Sequence, residues 1–176
     1  MKINIRQETS ADYPIVFDLI EQAFRDEILS DKKEQFLVER LRKSDGFVPE
    51  LSLVADINLQ IVGYILLTKI SIETKTESIT SLALAPVAVL PEFQKQGIGS
   101  KLIVEAHHIA KDLGYESVVL LGHENYYPKF GYQLLHHFNI SLPFEAPKEN
   151  CMAIELVPDA LKNKAGKVIY PKEFFE

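Results

Sequence analysis

The residues of this chain whose types and spacing could do chemistry begin with Gln94-x-x-Gly97-x-Gly99-Ser100. Two residues without side chains, placed just ahead of a helical pattern, leave backbone N–H groups open to close approach. A helix N-terminus favours negative charge, so a phosphate group fits there. The spacing narrows which phosphate. A P-loop requires Gly, four residues, then Gly-Lys-Ser/Thr, whereas Gly99 is followed by Ser100 and Lys101, with no glycine at the earlier position. A dinucleotide fingerprint requires a third glycine where Leu102 stands, and it normally lies early in a βαβ unit rather than past the middle of the chain.

The loop is positioned by what flanks it. Ser78 to Leu90 is an apolar strand halted at Pro91, where a backbone donor disappears. After the loop, Ile98, Leu102, Ile103, Ala106, Ile109, Ala110 and Leu113 recur at the spacing of one helical face, and Gly114 supplies a left-handed stop. The unit is strand, loop, helix. Gln94-x-x-Gly97-x-Gly99 in that setting resembles the pyrophosphate loop of the GCN5-related N-acetyltransferases, which carries Arg or Gln, two residues, Gly, one residue, then Gly or Ala. A second motif carries the same resemblance: Tyr127 lies four residues before Gly131-Tyr132. The wording Tyr126-Tyr127-Pro128-x-Phe130-Gly131 and the tail Gly166-x-Val168-x-Tyr170-Pro171 are similar to the YhbS-like branch of that family. So read, the resemblance covers nearly the whole chain.

That resemblance implies an α/β (α+β) fold with a central mixed, mostly antiparallel sheet flanked by helices. It implies an acetyl-CoA-dependent N-acetyltransferase that moves the acetyl group directly to a primary amine in a ternary complex. The pyrophosphate is expected on the backbone of Gln94, Lys95, Gln96, Gly97, Ile98, Gly99 and Ser100, with Lys95 either adding charge or simply solvated. The pantetheine arm is expected along the backbones of Val87, Ala88 and Val89. Tyr127 is the candidate acid, since a phenol of pKa about 10 can supply a proton to a thiolate whose thiol lies near about 8.5. Tyr126 is adjacent and could exchange roles with it. Family members often use a glutamate or an ordered water as base, and here the strand before the tyrosines has Leu120 and Leu121 instead of an acid. His123, Glu124 or a water relay is left to take the amine's proton. The rival reading is a silent acyl-CoA-binding sensor or interaction domain of the same fold.

Composition limits the partners. The chain has 176 residues, 47% hydrophobic and 25% charged, which predicts one soluble domain over 1–176 with a full core. A net charge of −6 argues against phosphate-backbone contacts with nucleic acid. No apolar run approaches a membrane span, and a cytoplasmic location is expected. The single Cys151 reads as a buried structural residue, and the five histidines lack metal-ligand spacing, so no metal is expected. The expected acceptor is a small-molecule or peptide amine, and a homodimer is consistent with the family.

Earlier in the chain, alternation of Ile3 and Ile5 predicts a strand over Lys2–Gln7. Ser10 or Asp12 then caps a helix whose inward face is Ile15, Val16, Leu19, Ile20, Ala23 and Phe24. A second helix is predicted over Lys33–Lys43 with Phe36, Leu37 and Leu41 inward. By the resemblance, this helix pair flanks the acceptor cleft, where Glu21, Asp26, Glu27, Asp31 and Glu34 either attract a cationic amine or form a solvated face. Strands are predicted at Leu51–Ala55 and Ile61–Ile72 around a turn at Asp56–Asn58, then at Ser117–Leu121, Asn139–Leu142 and Met152–Val157, with a short helical turn from Asp159 to Leu161.

Overall fold

Alternating isoleucines place β1 (Asn4–Gln7) beside β2 (Ser52–Ile57), antiparallel with Ile5 opposite Ala55. The structure, a computed structural model, describes residues 1–176. Asp12 closes the turn after β1: its carboxylate accepts the Thr9 N–H at 2.8 Å and pairs with Arg6 at 2.7 Å. Helix α1 (Tyr13–Phe24) then starts with Pro14 in its first turn, where a missing donor costs nothing. Val16, Leu19 and Ile20 are buried, but Ile15 is 51% exposed. The stripe runs through 16, 19, 20 and 23, and Ile15 falls one step off it.

Helix α2 (Glu34–Leu41) shows a sharper difference. Its buried residues are Gln35, Val38 and Leu41, while Phe36 is 46% exposed and meets Phe17 edge to face at 5.3 Å. Adjacent helical residues diverge by roughly 100°, so a face set by 35, 38 and 41 turns Phe36 outward. Polar Gln35 hides that face from a count of apolar residues. At the helix end Arg42 pairs with buried Glu8, whose other oxygen accepts from Ser52 Oγ at 2.6 Å. Ser52 in turn shares a 2.8 Å hydrogen bond with Tyr64, and the Arg42 guanidinium lies 3.9 Å from the centre of the Tyr13 ring.

The sheet centre is the expected meander: β2, β3 (Gln60–Thr74) and β4 (Ser78–Val89), all antiparallel. The first hairpin turns at Asn58-Leu59, both at positive φ, so β2 continues through Ile57 and the turn lies later than Asp56–Asn58. After helix α3 (Ile98–Asp112), β5 (Ser117–Leu121) returns parallel to β4. Gly63 of β3 permits the close seat of α3, since a Cβ there would lie 3.0 Å from both Ile98 and Leu102. Strands β6 (Gln133–Leu134), β7 (Ile140–Ser141), β8 (Cys151–Glu155) and β9 (Gly166–Ile169) complete a mixed, mostly antiparallel sheet in the order β1-β2-β3-β4-β5-β8-β6. β9 pairs with the far end of β3 and, in parallel, with β7. The expected helical turn at Asp159–Leu161 lies within a run of turns, residues 158–163, and no regular helix forms there.

The site is opened by two breaks in regularity. Pairing of β3 with β4 passes from Ile65–Val87 to Leu67–Leu84, so two residues, Ala85 and Pro86, bulge opposite Leu66. The Ala85–Pro86 peptide is cis. β4 and β5 stay paired only at Leu82–Val118 and Ala83–Val119, and beyond these residues the two strands separate. No helix of the chain is long and apolar enough to cross a membrane.

Candidate functional site

Beyond Val89 the chain turns sharply: the Leu90 N–H reaches Val62 O at 2.9 Å, and Pro91–Phe93 makes one 3-10 turn. Gln94 and Gln96 spend their side chains on the loop itself. Gln94 Nε2 donates to Val89 O at 3.1 Å and Gln96 Nε2 to Glu92 O at 3.3 Å. Lys95 and Gly97 both take positive φ, +61° and +83°. The first bond of α3 runs from the Lys101 N–H to Gly97 O, and the N–H groups of Lys95, Gln96, Gly97, Ile98, Gly99 and Ser100 have no acceptor in the chain. Successive unpaired donors at a helix N-terminus form a concavity for an anion, with the helix dipole adding attraction. Space for the anion exists, since a Cβ placed on Gly97 would meet nothing within 4 Å.

This loop floors one end of a cleft of about 1010 Å³ between the separated strands. Val87, Ala88, Val89, Gln94, Lys95, Gly97, Ile98, Gly99 and Ser100 line it; Gln96 does not, and its side chain caps Glu92 outside. Ile98 is buried in the core, so only its backbone can serve a ligand. Past Ala83 the β4 edge toward β5 has no strand partner, leaving main-chain groups for an extended ligand.

Tyr126 and Tyr127 enter from the other side, on the segment after β5. Gly122 makes room for them: a Cβ there would lie 2.4 Å from Tyr127 Cε2. Asn150, at the end of the 3-10 turn just before β8, anchors the same glycine by donating to its carbonyl at 3.0 Å. Tyr126 Oη stands 3.3 Å from Ser100 Oγ. Tyr127 is buried on a 3-10 turn against Tyr126, Phe130 and Tyr132 and still lines the cleft. Burial, and then the neighbouring Tyr126, push its pKa well above that of an ordinary phenol. Such a group stays protonated at neutral pH, with a hydrogen available to donate. Behind it, Tyr132 shares a 2.8 Å hydrogen bond with His107 Nε2, and burial lowers the His107 pKa to about 4.

Of the two residues offered as bases, His123 lines the cleft and Glu124 does not. His123 Nε2 approaches Glu27 Oε1 at 3.7 Å, joining the segment after β5 to the segment between α1 and α2. From the α1–α2 side Phe24, Glu27, Leu29, Ser30, Glu34 and Leu37 complete the wall, so two of the five carboxylates expected near an acceptor, Glu27 and Glu34, line the cleft. Sequence reasoning missed Gly122, Pro147 and Asn150. Gly122 carried a signal, a glycine at a strand end before two aromatics; Asn150 carried none. A second cavity of about 600 Å³, under β7, is lined by none of the anticipated site residues.

Comparison with known proteins gives one consistent result. Residues 49–134 match the family model of the acetyltransferase (GNAT) domain. YhbS of Escherichia coli K12, an uncharacterized N-acetyltransferase, is 30% identical over 171 residues, 97% of each chain. YjhQ from the same strain, also an uncharacterized N-acetyltransferase, is 37% identical over 101 residues, which span 57% of this chain and 56% of that relative. The crystal structure of Escherichia coli YhbS in complex with CoA superposes with a TM-score of 0.89 at 26% identity, covering 100% of this chain and 93% of that one. A Brucella melitensis GNAT-family acetyltransferase in complex with acetyl-CoA superposes with a TM-score of 0.79 at 30% identity, covering 98% of each.

Proposed function

Because the chain belongs to the GCN5-related N-acetyltransferase family, we propose that it transfers the acetyl group of acetyl-CoA directly to a primary amine within a ternary complex. The observation that carries this reading is the run of N–H groups from Lys95 to Ser100 left without acceptors at the head of α3. That run suits a pyrophosphate, and the CoA and acetyl-CoA complexes of the two structural relatives support the same ligand here. Lys95 lines the cleft beside the run and adds a positive charge.

Val87, Ala88 and Val89 present the unpaired β4 edge to the amides of the pantetheine arm, as an added strand would use it. The thioester supplies an activated acetyl carbon. When the amine nitrogen bonds to that carbon and the C–S bond breaks, the electron pair goes to sulfur and Tyr127 donates its hydroxyl hydrogen there. An alkylamine of pKa about 10.4 first loses one proton to cleft water to become nucleophilic; the proton it sheds on bonding to carbon passes through the same water and replaces the one Tyr127 gave, so one proton goes to solvent and one from nitrogen to sulfur. Burial keeps Tyr127 protonated before reaction and also makes it a weaker acid than a free phenol, so its proton moves to sulfur as the amine's proton replaces it.

The test is release of free CoA thiol from acetyl-CoA by purified protein, with and without pools of polyamines, aminoglycosides, amino acids and short peptides. Amine-dependent release is expected. Release that ignores every amine pool would contradict transfer to an amine.

A further inference from the structure

The two sides of the cleft differ in charge. Its lysines, Lys95 and Lys129, stand on the side of the pyrophosphate loop and tyrosines, and Lys129 Nζ is already seated 4.1 Å from the Tyr126 ring centre. The α1–α2 wall contributes Glu27 and Glu34 and no lysine or arginine; the rest of it is apolar or hydroxyl, with Phe24, Leu29, Ser30 and Leu37. Lys32 lies near this wall but does not line it, and its ammonium is tied to the carbonyls of Phe24 and Glu27. Glu27 already faces His123 across the cleft at 3.7 Å.

Glu34 is different. Its Oε1 accepts from Ser30 Oγ, whereas Oε2 has no hydrogen-bond partner and is closed to solvent. A carboxylate oxygen without water or donor is costly, and because Glu34 lines the cleft, a turn of its side chain that brings Oε2 out to an arriving donor offsets the cost. A carboxylate on the ligand has the opposite effect, because this wall has no guanidinium or ammonium to receive it.

Resting on the amine-transfer reading above, we infer that the α1–α2 wall is an amine-recognition subsite in which Glu34 binds the acceptor nitrogen. The acceptors it selects are primary amines on an apolar body, without a carboxylate beside the apolar group or the amine. Ser30 positions Glu34 by holding Oε1. Leu29 and Leu37 supply the apolar contact, and Glu27 reinforces the anionic field at the mouth.

The experiment titrates two matched pairs, tyramine against L-tyrosine and hexylamine against 6-aminohexanoate, into free and CoA-loaded protein by calorimetry. The amines are expected to bind about tenfold or more tightly than their carboxylated partners, and Glu34→Gln is expected to weaken the amines about tenfold, narrowing both ratios. The CoA affinity of Glu34→Gln should match wild type, which reports that the cleft is intact. Equal binding within both pairs, no binding of either amine, or unchanged ratios in Glu34→Gln overturns the subsite. Failure of CoA itself to bind instead contradicts the transfer reading, and the amine arms are then judged on the free protein.

Discussion

Tyr126 and Tyr127 are consecutive in sequence and meet edge to face, ring centres 5.0 Å apart, yet they address different parts of the cleft. The Tyr126 hydroxyl reaches Ser100 at the head of α3, on the side of the anion-binding loop. Tyr127 is buried under it and packs against Gly122, where β5 and β4 have already separated. On the function proposed above, Tyr127 serves the leaving group and Tyr126 contacts the cofactor.

Tyr127→Phe keeps the ring that fills the space beside Gly122 and removes the donor. A fall in kcat of about 100-fold or more is expected, with acetyl-CoA affinity within about twofold of wild type. Tyr126→Phe should do the reverse, weakening acetyl-CoA by about fivefold with kcat nearly retained, the scale of one modest hydrogen bond. Steady-state thiol release together with calorimetric titration of acetyl-CoA separates the two, and an unchanged rate for Tyr127→Phe would remove it from the chemistry.

Gly122→Ala tests the support of that ring. With a Cβ 2.4 Å from Tyr127 Cε2, either the ring or the backbone must move. Misplacement on the ångström scale costs on the order of 100-fold in rate, so kcat should fall by at least about tenfold while far-UV circular dichroism stays that of wild type. Full activity in Gly122→Ala would show that Tyr127 tolerates displacement.

Arg42 and Glu8 pair with side chains only 7% and 1% exposed, and Ser52 and Tyr64 extend the network inward. Breaking such a pair from one side leaves a buried charge. Glu8→Ala is therefore expected to lower unfolding stability by about 3–5 kcal/mol, read from urea midpoints. A loss below about 1 kcal/mol would mean that Arg42 finds water or another partner.

His107 makes stability depend on pH over a defined window. Its pKa is lowered to about 4 by burial first and then by the charge of His108, against about 6.5 in an unfolded chain. Between these values the unfolded chain takes up a proton that the folded one refuses, so stability falls as pH drops from about 6.5 to about 4, by at most about 1.4 kcal/mol per pH unit. His107→Gln should flatten the urea midpoint across that range. Asp12, lowered to about 2 chiefly by its hydrogen bond from Arg6, loses its own contribution only as pH falls below about 4. A His107→Gln profile parallel to wild type between pH 6.5 and 4 would contradict the assignment.

The parts of this molecule that could be read from sequence are those whose signals are local. The Gly97/Gly99 spacing, the Ile98–Asp112 periodicity and the halt of β4 at Pro91 each sit within a few residues of what they specify, and β5 has the predicted bounds. Errors arise where distant partners decide. Phe36 was expected inward but faces outward, because buried Gln35 shares a face with Val38 and Leu41. β9, four residues long, is too short to announce itself and exists because residues 71–74 of β3 lie ready to pair with it. Asn150 reaches Gly122 across 28 residues of sequence, a contact no spacing encodes. Gln94, the first residue of the recognised motif, holds the β4 end with its side chain, so its part in the loop is to shape it.

The central claim is that this cleft moves an acetyl group from sulfur to an amine nitrogen. Incubating wild type and Tyr127→Phe with acetyl-CoA isotopically labelled in its acetyl group and a mixture of amines, then following the label by mass spectrometry, tests it most directly. The account predicts label on amine nitrogen with wild type, free CoA in equal amount, and strongly reduced transfer with Tyr127→Phe. Label that stays on acetyl-CoA, in a protein shown by calorimetry to bind it, would contradict the account and favour a cofactor-binding domain without turnover.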